Sequence, residues 1–170
     1  MTDQISAESI EREVHAALDA VGARYTVMTC DPSLADTAAF CAHYGVEPSQ
    51  SANAIVIASR KEPRKYAVCL VLATTKLDVN KRVAELLGVK KLSFASSEET
   101  VALTGMMIGG VTPFAIPREI PIYVDSRILA LDEVVIGGGS RSSKLRIAPD
   151  VFTRMPGVQV IERLALDRDA

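Results

Sequence analysis

Two glycine runs constrain this chain more than any other feature. The first lies in Thr104-Gly105-Met106-Met107-Ile108-Gly109-Gly110-Val111-Thr112-Pro113-Phe114, the second in Leu131-Asp132-Glu133-Val134-Val135-Ile136-Gly137-Gly138-Gly139-Ser140. Six of the ten glycines fall in these two segments. Glycine loses more conformational freedom on folding than any other residue, so such a cluster marks backbone that takes positive φ or that something approaches closely. Both runs abut apolar segments that read as strands. The expectation is two backbone loops carried on one sheet, forming a pocket lined by main-chain N–H groups.

The rest of the sequence bounds the setting. A chain of 170 residues is long enough for a substantial core, and one domain over 1–170 is expected, with its core at about 5–164. No apolar run approaches the ~20 residues of a membrane span, and the N-terminus lacks a basic-then-apolar signal, so a cytoplasmic protein without a membrane partner is expected. Cys30, Cys41 and Cys69 are odd in number and show no CxxC spacing, which argues against a disulfide framework and against a zinc site. A net charge of −2 excludes an overall basic protein, while a local basic patch can still meet nucleic acid.

Along the chain, Ile10, Val14, Ala17, Leu18 and Val21 form a helical stripe over Ser6–Val21, with Gly22 as its stop. Tyr25–Met28 reads as a short strand. Asp36 or Thr37 would cap a helix that ends at Tyr44-Gly45. Ala54–Ala58 and the nearly all-apolar Tyr66–Leu72 read as strands joined across the charged hairpin Arg60–Lys65, the second of them central. A helix capped by Asp78 carries Val79, Val83, Leu86 and Leu87 on one face and stops at Gly88. Leu92–Phe94 is a brief strand. Ser96-Ser97-Glu98-Glu99 fits a capping box for a short helix ending at Gly105. Ile120–Asp125, Glu133–Ile136 and Lys144–Ile147 read as strands, Pro149 opens a short helix, and Val158–Ile161 closes the set before a loose tail from Asp167. The order is α+β: a mixed sheet with flanking helices.

The usual catalytic constellations are absent. His15 and His43 have no carboxylate at metal-ligand spacing, Cys69 lies in the most apolar strand, and Cys30, although it would be accessible before Asp31-Pro32, has no partnered base. No GxSxG, HExxH or Walker sequence occurs, and no helix follows Gly137-Gly138-Gly139 as a dinucleotide fingerprint requires. What remains is backbone. Gly109, Gly110 and the amides near Thr112 would aim donors at a carbonyl or developing oxyanion, with Pro113 stiffening the loop. Gly137, Gly138 and Gly139 would let a ribose or phosphate approach the chain. Ser140, Arg141, Lys144 and Arg146 follow, and the cations would track a phosphate backbone. On spacing alone, both runs being no more than tight strand-end turns is an equally open reading, and isolated cations of this kind are more often a solvated strand face.

At these residues the chain resembles the YbaK family, editing domains related to the insertion domain of bacterial prolyl-tRNA synthetase. Asp31-Pro32 with its following helix and Gly45-Val46-Glu47-Pro48-Ser49-Gln50 are similar to the family's N-terminal section. Lys76-Leu77-Asp78-Val79-Asn80-Lys81 with Leu86-Leu87-Gly88 is similar to its central helix entry, Gly109–Phe114 to its GxxxP loop, and Leu131–Gly139 to its second glycine loop. The order and separation of these motifs carry the resemblance, which covers most of the chain.

The resemblance implies hydrolysis, without a cofactor or metal, of the ester joining a wrong amino acid to the terminal adenosine of a tRNA. It implies the acceptor end of an aminoacyl-tRNA as partner, with an aminoacyl-tRNA synthetase as a further one. It also implies that the GxxxP loop positions the scissile carbonyl, that a lysine on the strand before the charged hairpin meets a phosphate, and that water or the substrate's own hydroxyl or thiol attacks. Here the lysine position is Asn53, which brings hydrogen-bond donors but no charge, whereas charge-assisted bonds to phosphate are roughly twice as strong as neutral ones. Arg141 or Lys144 is the expected replacement for that charge. The competing expectations are a tRNA- or nucleotide-binding module that does not hydrolyse its ligand, and a hydrolase of another small acyl ester.

Overall fold

The structure, a computed structural model, describes residues 2–168. Its elements in chain order are α1 (Thr2–Ala20), β1 (Tyr25–Thr29), α2 (Thr37–Tyr44), β2 (Ala52–Ser59), β3 (Tyr66–Leu72), β4 (Thr75–Leu77), α3 (Ala84–Leu87), β5 (Leu92–Phe94), α4 (Ser97–Thr104), β6 (Ile122–Asp125), β7 (Val134–Gly137), β8 (Ser143–Ile147), β9 (Val158–Ile161) and β10 (Ala165–Asp167). A five-stranded mixed sheet has the order β5-β2-β3-β6-β9, a three-stranded sheet the order β1-β8-β7, and β10 pairs with β4 as a separate ribbon. The architecture is α+β, as expected.

β3 is the central strand because it is apolar on both faces. Val68, Leu70 and Leu72 point into one core with Val14 and Leu18 of α1, Phe114 and Phe152. Ala67, Cys69 and Val71 point into a second core with Val79, Val83 and Leu164. Its antiparallel partner β2 is reached through the charged hairpin, with Asn53 opposite Val71 and Val56 opposite Val68. Its other neighbour, β6, runs parallel. The capping box forms as predicted: the Glu99 N–H donates to Ser96 Oγ at 3.0 Å, and the Ser96 N–H reaches Glu99 Oε1 at 3.5 Å.

Several expectations change. The helix predicted from Asp78 to Leu87 is a π-helical turn over Val79–Val83 followed by one α-turn, and the Asp78 side chain makes no cap. The first helix begins earlier than expected, at Thr2. The helix predicted at Pro149 is a 3-10 turn over Pro149–Thr153. The tail expected to be loose from Asp167 instead completes β10, held by the Ala165 N–H donating to the buried Asp125 carboxylate at 3.1 Å; residues 169 and 170 lie outside the described residues. The glycine runs do not share one sheet. The first lies between α4 and β6, while the second joins β7 to β8 of the three-stranded sheet. The expectation that both runs abut strands thus holds only for the second; the first follows α4, and its apolar residues Met106 and Phe114 are buried in loop, which apolarity alone does not distinguish from strand.

Candidate functional site

The two sheets meet at a parallel bridge, Ser51 to Val135. Beyond that point β2 and β7 diverge, and the gap between them is a cleft of ≈ 350 Å³. Asn53 and Ile55 of β2, Ile136 and Gly137 of β7, and Gly109 and Val111 of the first glycine loop line it. Thr37 and Phe40 of α2 close one side, and Phe94, Ser97 and Thr100 close another.

The glycine loops pack face to face. A Cβ on Gly110 would stand 2.6 Å from the Ser140 carbonyl carbon, and one on Gly137 would stand 2.7 Å from that of Gly110, so no side chain fits at either position. The loops are also hydrogen-bonded to each other. The Gly139 N–H donates to Gly110 O at 2.6 Å, and the Met107 N–H donates to Gly139 O at 3.0 Å. Arg141 Nη1 donates to Ile108 O at 2.7 Å, and its Nε donates to Pro32 O at 3.0 Å.

These bonds set the direction of the remaining donors. A peptide unit is planar and trans, so a held carbonyl turns the N–H of the next residue the opposite way. Ile108 O is held by Arg141 and Gly110 O by Gly139, so the N–H groups of Gly109 and Val111 are both turned away from the second loop. Both residues line the cleft, and among the described residues neither N–H finds a hydrogen-bond partner. By contrast, the Gly110 N–H donates to Met107 O at 2.8 Å and the Thr112 N–H to Met106 Sδ at 3.4 Å. The expectation that Gly110 and the Thr112 amide serve as donors is thereby corrected: Gly109 and Val111 hold the free ones. Pro113 is buried behind them.

Lys144 is 6% exposed, and its Nζ donates to Ala35 O and to Gly109 O, each at 2.7 Å. It also stands 5.4 Å over the centre of the Phe40 ring. Burial holds its ammonium below the usual lysine range, with the neighbouring Arg141 acting in the same direction. An ammonium has three donors, two of which are occupied here. Asn53 is oriented by Thr37, whose hydroxyl donates to the Asn53 carboxamide oxygen. The carboxamide NH₂ is left as the polar group presented by that side chain.

Of the residues expected at the site, Asn53, Gly109, Gly137 and Lys144 line the cleft. Gly110, Thr112, Pro113, Gly138, Gly139, Ser140 and Arg141 do not; they form the wall behind it. The space beside Gly138 is filled by Ser143 and that beside Gly139 by Val14 and Ile10 of α1, so neither is an open approach for ribose or phosphate. The hydroxyl of Ser140 donates to Glu11. Cys30, expected to be accessible, is 2% exposed, and burial raises its thiol pKa, which disfavours a nucleophilic thiolate. Sequence reasoning missed Thr37, Phe40, Val111 and Phe94. Phe94 bore no signal, but Thr37 and Phe40 sit one helical turn apart on a helix whose entry was recognised.

Known proteins are similar to this chain in sequence and in fold. A protein of Enterococcus faecalis (strain ATCC 700802 / V583), described as "Putative Cys-tRNA(Pro)/Cys-tRNA(Cys) deacylase EbsC", is 23% identical over 118 residues, covering 69% of this chain and 70% of that protein. The crystal structure of "a putative trans-editing enzyme for prolyl tRNA synthetase" superposes with a TM-score of 0.74 at 28% identity, covering 90% of this chain and 95% of the other. The hypothetical protein APE2540 shares the fold with a TM-score of 0.77 at 24% identity, over 88% of this chain and 97% of its own. The model of the aminoacyl-tRNA editing domain matches residues 31–155, which span β2, β7, both glycine loops and every wall of the cleft. The chain belongs to the aminoacyl-tRNA editing domain family.

Proposed function

We propose that the chain is a trans-editing deacylase that hydrolyses the ester of a mischarged tRNA. One observation carries this reading: two N–H groups, on Gly109 and Val111, are left without partners among the described residues, on a loop whose Ile108, Gly109 and Gly110 carbonyls are held. In the reaction, water or a hydroxyl or thiol of the aminoacyl group attacks the ester carbonyl. The C=O electrons move onto oxygen, and the two N–H groups receive that charge without reorganising. Collapse breaks the bond to the ribose oxygen, which leaves with a proton. Loss of one such donor typically costs about 10²–10³ in kcat. The Asn53 carboxamide holds the ribose or phosphate end, and the remaining donor of Lys144 adds the positive charge that Asn53 lacks. Arg141, bound to Ile108 O and Pro32 O, holds the loop rather than the ligand.

A second reading, a binding module without turnover, is favoured by Asn53 itself and by the two carbonyls that already occupy Lys144. Deacylation of a panel of correctly and incorrectly charged tRNAs, by the parent and by Asn53→Lys, decides between the two. The proposal expects the parent to turn over at least one mischarged species. Activity confined to Asn53→Lys would establish the binding module, and hydrolysis of small acyl esters with no tRNA turnover would establish a different esterase.

A further inference from the structure

Phe94 stands apart from the other three phenylalanines. Phe40, Phe114 and Phe152 are at most 1% exposed, whereas Phe94 is 60% exposed on the edge strand β5. One exposed ring is ordinary on a protein surface, so what matters is where it stands. Its position is specific: the ring lines the cleft on one side and a second groove of ≈ 530 Å³ on the other.

That second groove is flanked by the β4–β10 ribbon. Lys76 and Leu166 are cross-strand partners there, so their side chains leave the ribbon on one face, and both are exposed. Arg60 and Arg168 add two more cations to the lining. The acids in the groove are Asp78 and Asp167, and Asp167 is paired with Arg127 at 2.8 Å. The exposed Lys90 and Lys91 immediately precede β5, and the Arg60 N–H donates to Lys91 O at 3.1 Å. A chain with a net charge of −2 thus gathers positive charge beside one solvent-facing ring at the mouth of its cleft.

We infer that this groove is the path of the single-stranded 3′ end of the RNA: Phe94 is the platform on which the nucleotide next to the terminal adenosine stacks, and Arg60 and Lys76 meet the phosphates beyond it. The inference rests on the deacylase reading for the identity of the RNA. Its physics is independent of turnover, because aromatic stacking combined with a basic track is the general solution for binding unpaired nucleotides.

The chain contains no tryptophan, so Phe94→Trp places a single indole at the proposed platform. Titrating that variant with a short single-stranded RNA of the tRNA 3′ end should quench the emission saturably, and added salt should weaken the binding. Arg60→Glu and Lys76→Glu should flatten the slope of log affinity against log salt by about 0.7 for each phosphate no longer neutralised. Phe94→Leu, which keeps an apolar side chain but no ring face, should bind uncharged tRNA about 5- to 150-fold more weakly than the parent. Thermal unfolding of each variant checks the fold. Unchanged emission at saturating RNA, or equal binding by Phe94→Leu, would overturn the platform. Self-association of the parent that disappears in Phe94→Leu would assign the patch to a second copy and overturn it too. Quenching without hydrolysis of any tRNA would leave the platform standing and remove the deacylase; hydrolysis without quenching would do the reverse.

Discussion

The two glycine loops look alike in sequence and do opposite things. The first, around Gly109 and Val111, faces the cleft and keeps two N–H groups unpartnered among the described residues. The second, Gly137 to Lys144, is turned inward: its Gly138 and Gly139 N–H groups are satisfied by Ser143 O and Gly110 O, and its two cations grip carbonyls of the chain itself. One loop presents donors while the other fixes where they point. A glycine run is therefore evidence of close backbone approach, but what approaches it can be another glycine run.

The largest test of this division lies where the loops meet. Gly110→Ala forces a methyl group into the Ser140 backbone, which cannot move as a flexible side chain would. The expected destabilisation is about 3 kcal/mol, at the upper end of overpacking costs, measured by urea unfolding. A change near zero would mean that the loops are not locked together.

Lys144→Met comes next and separates holding from folding. It removes both bonds to Ala35 O and Gly109 O, and deacylation should fall about tenfold or more as the loop loses its set. Stability should change less, because an apolar chain of similar length avoids burying a charge. Its pH behaviour sharpens the point. Burial depresses the ammonium below the ordinary lysine value of 10.5, so the folded state releases its proton at lower pH than the unfolded chain does. The unfolded state then binds more protons in that alkaline window, and the contribution of this site to stability rises as pH climbs toward 10.5. Denaturation curves of parent and variant should therefore diverge in the parent's favour with rising pH, while parent activity falls as the ammonium is lost.

Arg141→Gln should act in the same sense but less strongly, since the side chain is partly exposed and the neutral amide can still reach one carbonyl. A several-fold loss in kcat with KM unchanged would mark it as a positioning residue, whereas a rise in KM alone would return it to direct binding of the ligand. The smallest expected effect is Ser96→Ala. Losing the capping box costs about 1 kcal/mol of stability, with at most a minor change in kcat, because α4 only borders the cleft.

How much of this was legible in the sequence follows from what each residue type can signal. β3 was readable as central because seven apolar residues in a row have no solvent face, and α4 was readable because a capping box is a local reciprocal bond. Asn53, singled out through the family resemblance, and Gly109, singled out from its glycine run, do line the cleft. The π-turn after Asp78 was not readable, since its apolar spacing is close to that of an α-helix. Nor was β10, which exists through Asp125 and β4, partners that lie far away in the chain. The division of labour between the glycine loops was hidden for the same reason: it depends on which carbonyl meets which cation across the fold.

The bridge between Ser51 and Val135 has one more consequence. The cleft opens where β2 and β7 part, so two of its walls are strands of packed sheets, and the glycine loop that forms a third is tied to the second loop. Under the proposed function, selection among aminoacyl groups would then rest on fit to a slot with pre-set walls, as in a gauge, and the less the protein has to be ordered on binding, the less affinity is lost.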